Sequence, residues 1–114
     1  MEHRDVFLIE TIIDFCDRII RNLSDPEVTY DRFLNDLELQ DVCAFRVLQI
    51  GENANNLSDG FKNKYSQIPW HQISGFRNIV AHEYGNIEPD TLWKTVTVDI
   101  PELRDYCAKL IGKE

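Results

Sequence analysis

The stretch Val6-Phe7-Leu8-Ile9-Glu10-Thr11-Ile12-Ile13-Asp14-Phe15-Cys16-Asp17-Arg18-Ile19-Ile20-Arg21-Asn22-Leu23 puts apolar side chains at Val6, Ile9, Ile13, Cys16, Ile20 and Leu23. Steps of three and four alternate without a break, the repeat of one continuous helix face. A second stripe, Leu8, Ile12, Phe15 and Ile19, runs beside it. Together the stripes are wider than one neighbour requires. The helix therefore either sits centrally in a bundle or also joins a second subunit. Ser24-Asp25-Pro26 ends it.

Helical spacing recurs down the chain. A short helix is predicted over Thr29–Asn35, with Tyr30, Phe33 and Leu34 facing in, and a long one over Asp36–Leu57 with Cys43, Val47, Ile50, Ala54 and Leu57 inward. Arg46, Gln49, Asn53 and Asn56 line the other side of that helix, with Glu52 alongside. Such a polar stripe is either a solvated face or the wall of a groove in which Arg46 meets a phosphate. Ser58-Asp59-Gly60 breaks the pattern. Ile68-Pro69-Trp70 opens a further helix, with proline in the first turn where a missing N–H costs nothing. Trp70 and Trp93 read as core, and His71 as surface. After a loop with Pro89, a last helix turns Leu92, Val96, Leu103, Tyr106 and Leu110 inward, and Pro101 should kink or split it. The fold class is all-α, an up-and-down bundle of four or five helices.

At 114 residues the chain is expected to form one domain, residues 1–114. No apolar run approaches membrane-spanning length and no signal-peptide pattern opens the chain, so a cytoplasmic protein without membrane contact is expected. Cys16, Cys43 and Cys107 are odd in number, lack metal spacing and sit in apolar patterns, as reduced core residues do. The formal charge of −8 argues against a simple nucleic-acid binder. Its distribution is uneven: residues 53–82 set Lys62, Lys64 and Arg77 against Asp59 alone, and this is the only net-positive stretch. A local cationic cleft on an acidic body is consistent with that, although RNA would be steered poorly from a distance.

That stretch leads into Arg77-Asn78-Ile79-Val80-Ala81-His82-Glu83-Tyr84. Arg77 is a permanent cation, His82 titrates near neutral pH and Tyr84 carries a phenol. The set suits metal-free cleavage of RNA, in which a ribose 2′-hydroxyl attacks the adjacent phosphate. His82 would move the proton and Arg77 would stabilise the phosphorane oxygens. Asn78 would orient a phosphate or cap a backbone group. On an ideal helix Arg77 and His82 point about 140° apart, whereas Arg77 and Tyr84 share a face. Either the helix ends near Tyr84, stopped by Gly85, or the residues reach different edges of a cleft completed by a second subunit. His71, His82 and Glu83 lack zinc spacing, so no metal or other cofactor is expected.

Several blocks in order resemble the HepT-like members of the HEPN superfamily, small all-helical ribonuclease toxins of prokaryotic toxin–antitoxin pairs. They are Arg46 with Gly51-Glu52-Asn53-Ala54, Ile68-Pro69-Trp70, Gln72-Ile73-Ser74-Gly75-Phe76 running into Arg77-Asn78, His82 with Tyr84, and Leu92-Trp93 ahead of Asp99-Ile100-Pro101-Glu102-Leu103. The resemblance spans roughly residues 4–110. It implies a helical bundle that forms a homodimer, with the two motifs meeting in a composite cleft. It also implies a metal-independent endoribonuclease with Arg77 and His82 as the catalytic pair, supported by Asn78. Its implied partner is a nucleotidyltransferase antitoxin that transfers AMP onto Tyr84 and can form a hetero-oligomer with the toxin. Arg46, Lys62 and Lys64 are candidate RNA contacts. The alternative is a catalytically inactive HEPN module that binds a nucleotidyltransferase or a nucleotide, which the acidic balance suits.

Overall fold

A computed structural model describes residues 2–81 and 88–112. The described residues are helical, with no strand among them: α1 (His3–Asn22), α2 (Tyr30–Leu34), α3 (Leu37–Asn55), α4 (Asp59–Lys64), α5 (Trp70–Ser74), α6 (Phe76–Ala81), α7 (Pro89–Lys94) and α8 (Ile100–Leu110), the last two joined by a π-helical turn, Thr95–Asp99. The all-α expectation holds. The described segments outnumber the four or five helices expected, because two of those helices are subdivided and because α4 forms directly after the break expected at Ser58-Asp59-Gly60.

The two long helices follow their apolar patterns. In α1, Leu8, Ile9, Ile12, Ile13, Cys16 and Ile19 are buried. The helix packs against both α3 and α8, which accounts for its wide apolar surface. It ends where Leu23 N–H reaches back to the carbonyls of Ile19 and Ile20, and Ser24 Oγ donates to Arg21 O at 2.8 Å. Asp36 caps α3, its carboxylate accepting from Leu39 N–H at 3.0 Å. Cys43, Val47, Ile50 and Ala54, with Leu57 just beyond the helix, all face the core as expected. α3 is the hub, touching α1, α2, α5, α6 and α7.

Two expectations about side chains are corrected. Tyr30 is 42% exposed; its ring leans on Trp93 and its hydroxyl donates to Asp90, while Phe33 alone of α2 is buried. Tyr106 is 38% exposed and donates to Glu102 at 3.2 Å, whereas Ile100 and Cys107 fill the core. Both tyrosines keep an apolar ring on the surface with the hydroxyl bonded to a carboxylate. Trp70 is buried and Trp93 half-buried. Pro69 stands one position earlier than expected, as the residue before α5 rather than in its first turn.

The last helix is split as expected, with Pro101 in the first turn of its second part, α8. A prolyl ring collides with the carbonyl four residues back in a regular α-helix. Here the wider π turn immediately precedes it. Through that turn, Thr95 and Thr97 Oγ donate to the carbonyls of Thr91 and Trp93 at 3.0 and 2.7 Å. The threonines thus help satisfy carbonyls where the backbone ladder changes pitch.

Candidate active site

Arg77 and Asn78 sit in the first turn of α6, and the route of the chain into that turn is tightly set. Trp70 starts α5 with its indole N–H donating to Tyr65 O at 3.1 Å and its ring against Phe61. The expected single helix is broken at Gly75. Asn78 N–H returns only three residues, to Gly75 O at 3.0 Å, a tighter turn than the α-helical one. A Cβ on Gly75 would press against Gln72 O at 3.1 Å.

The decisive contact is on α3. A Cβ at Gly51 would stand 2.8 Å from Arg77 N, 3.3 Å from Arg77 Cβ and 3.3 Å from Ile73 O. Only glycine lets the backbone of Arg77 approach this closely. The Gly51 block therefore positions the arginine, a role that the local pattern around Gly51 alone did not reveal. Arg77 is half-buried, and its Nε is fully buried with no hydrogen-bond acceptor among the described residues. Leaving a buried donor unmet costs about 1–3 kcal/mol, more for a charged group. Asn78 is exposed. His82 and Tyr84 lie outside the described residues, as does Glu83.

The other candidate cations are not gathered around Arg77. Arg46 Nη1 donates to Asn22 Oδ1 at the end of α1. It precedes Gly51 by five residues, which places the two about 140° apart around α3. Lys62 Nζ donates to Asn55 O at 3.2 Å, at the C-terminal end of α3, where a cation meets free carbonyls. Lys64 Nζ lies 5.5 Å from the centre of the Tyr65 ring. Each cation has a local partner on a different part of the surface.

Burial raises the thiols, Cys43 to about 11 and Cys107 to about 12, while Cys16 rises well above its ordinary value. All three are protonated and free of disulfides at neutral pH, so none is poised as a nucleophile. One buried carboxylate had no sequence signal: Asp5 accepts from Ser58 N–H at 2.9 Å and from Ser58 Oγ at 2.7 Å. Ser58 in turn caps α4, accepting from Phe61 N–H at 3.1 Å. The pair ties the start of α1 to the loop after α3. Among the described residues no group of His, Cys, Asp and Glu is arranged to hold a metal ion, and no helix is long and apolar enough to cross a membrane.

The family model described as "Ribonuclease HepT-like" matches residues 9–110. The chain belongs to the HepT-like ribonuclease family. Among its relatives, a protein of Thermococcus cleftensis named as a probable ribonuclease HepT is 35% identical over 85 residues, 74% of this chain and 76% of that one. A protein of Methanocaldococcus jannaschii with a provisional RNase name is 32% identical over 107 residues, 91% of this chain and 94% of that one. Another such protein, from Caldanaerobacter subterraneus subsp. tengcongensis, is 29% identical over 106 residues, covering 93% of each. No solved structure matches significantly. Gly51, Gly75 and Arg77, which set the α3–α6 crossing, all fall within the matched HepT-like segment.

Proposed function

We propose that this HepT-like protein is a metal-independent endoribonuclease and the toxin of a toxin–antitoxin pair. The observation that carries the reading is Arg77, which belongs to the family's motif and here has its backbone pressed on Gly51 and its buried Nε unmet among the described residues. In the proposed reaction His82 removes the proton of a ribose 2′-hydroxyl. The oxygen attacks the neighbouring phosphorus, and the bond to the 5′-oxygen of the next nucleotide breaks. The departing oxygen takes a proton from a histidine, and a cyclic phosphate is left on the upstream fragment. Arg77 bonds the non-bridging oxygens as their charge grows, a contribution worth about 10²–10³ in rate. Asn78, exposed beside it, orients the phosphate.

The chain acts as a homodimer in this reading, the two motifs lining one cleft. The antitoxin is a nucleotidyltransferase. Tyr84 oxygen attacks the α-phosphorus of ATP held by that partner, pyrophosphate leaves, and the tyrosine carries AMP. The added anion pairs with Arg77 and fills the space RNA needs.

The test is cleavage of single-stranded RNA by the purified, unmodified protein in excess chelator. Activity that persists in chelator and is lost in both Arg77→Ala and His82→Ala supports the proposal. Intact RNA with a folded wild-type protein would favour the second reading, a binding module without catalysis, which the net charge of −8 suits.

A further inference from the structure

The chain carries seven arginines, and three of them wall one groove. Arg18, Arg21 and Asn22 come from the last turns of α1, and Arg46 comes from α3. The groove encloses about 450 Å³ and is separate from the Arg77 centre, lying on the flank of α3 that faces α1. We propose that it is a phosphate subsite that takes the sugar–phosphate backbone of a single-stranded RNA. This rests on the ribonuclease reading for the identity of the ligand, but on none of that reading's catalytic residues.

Ion pairing marks these arginines out. Elsewhere Arg32 is held by Glu27 and Asp36 at 3.6 and 3.8 Å, and Arg104 by Asp17 and Asp105 at 3.0 and 3.9 Å. In the groove Arg18 bonds Asp14 at 2.9 Å and lies over the Phe15 ring, which fixes it in place. Arg21 and Arg46 have no carboxylate partner among the described residues. Arg46 is instead held by the neutral amide of Asn22, which offers no opposing charge. Two uncompensated guanidinium forks beside a third match the oxygens of a phosphate diester. On a chain of net charge −8 this is a concentration of positive charge that the overall balance conceals.

RNA is favoured over an acidic protein face by the ribonuclease reading, under which a phosphodiester chain is the ligand this protein must hold. Three guanidiniums along one groove suit the repeated phosphates of such a chain.

The experiment measures binding of a fluorescent 2′-O-methyl RNA, whose blocked 2′-oxygen cannot attack, across a range of salt concentrations. Wild type, R21Q and R21Q/R46Q are compared with R32Q, which changes an arginine outside the groove. Among the described residues Arg21 makes no side-chain hydrogen bond or ion pair, so R21Q serves as the groove variant that leaves the fold undisturbed even where R21Q/R46Q, which also removes the Arg46–Asn22 bond, does not. The expected result is weaker binding, on the order of tenfold for the double variant, with R32Q like wild type. The slope of log affinity against log salt should fall by about 0.7 for each phosphate contact removed. An unchanged slope in both groove variants, or no binding of RNA by wild type at low salt, overturns the proposal. So does retained RNA binding when the same variants lose an acidic protein partner. Cleavage of unmodified RNA is scored separately: wild-type binding that depends on the groove, without cleavage, refutes the ribonuclease reading and leaves the subsite standing.

Discussion

The two flanks of α3 are built differently. On the side turned to α1, marked by the Arg46–Asn22 bond, stand Cys43 and Ile50, fully buried. On the side turned to α6, marked by the Gly51–Arg77 approach, stand Ala44 and Gly51. Large side chains keep two helix axes apart and bury much apolar surface, whereas small ones let backbones nearly touch. The first flank contributes stability. The second gives up some apolar burial to hold one arginine at a fixed place.

That contrast can be broken from either side. Ile50→Ala on the stabilising flank should cost about 2–5 kcal/mol, read as a lower midpoint in urea. RNA cleavage by the fraction still folded should stay near wild type. Gly51→Ala should cost less stability, about 1–3 kcal/mol from overpacking. Its cleavage rate should nevertheless fall by about tenfold or more, because the new methyl pushes on Arg77 N; displacement of a reacting group by about 1 Å can cost 10²-fold. A Gly51→Ala protein that cleaves normally would mean that the close approach does not position Arg77.

Smaller effects sharpen the picture away from the site. Asp5→Ala removes the carboxylate that Ser58 leans on and should cost about 1–3 kcal/mol by leaving a partly buried donor unmet. The measurement is again a urea midpoint, and Ser58→Ala should add little once Asp5 is gone. The smallest effect is on pH. Burial raises the Cys43 thiol to about 11, above its ordinary 9.0, so the folded chain holds this proton more tightly than the unfolded one. The resulting stability is fully present below pH 9 and is lost as pH rises towards 11. Melting curves between those values should fall less steeply for Cys43→Ala than for wild type.

Much of the fold was legible in the chain. The three-four alternation of Val6 to Leu23 and of Cys43 to Leu57 survives in α1 and α3 because both helices are long. In α1 the second stripe is buried apart from half-buried Phe15, while the first is buried at its middle and half-buried at Val6, Ile20 and Leu23. Shorter or interrupted segments were less readable. Tyr30 and Tyr106 carry a partner for the hydroxyl, Asp90 and Glu102, which let them stay at the surface, and apolarity alone does not report that. The π turn before Pro101 depends on how the threonine hydroxyls meet the backbone. The break at Gly75 and the role of Gly51 depend on how closely two segments approach, a tertiary fact without a local signature. Arg77 was legible as a candidate from its motif, but its placement against α3 was not. His82 and Tyr84 were legible in the same way and lie outside the described residues, so they stay as proposed.

The most direct test of the central claim is induced expression of wild type, Arg77→Ala and His82→Ala without the antitoxin, with growth and total RNA followed together. Growth arrest and RNA fragments are expected for wild type, and neither for the two variants at equal soluble levels. Normal growth with intact RNA from soluble, dimeric and unmodified wild type would contradict it.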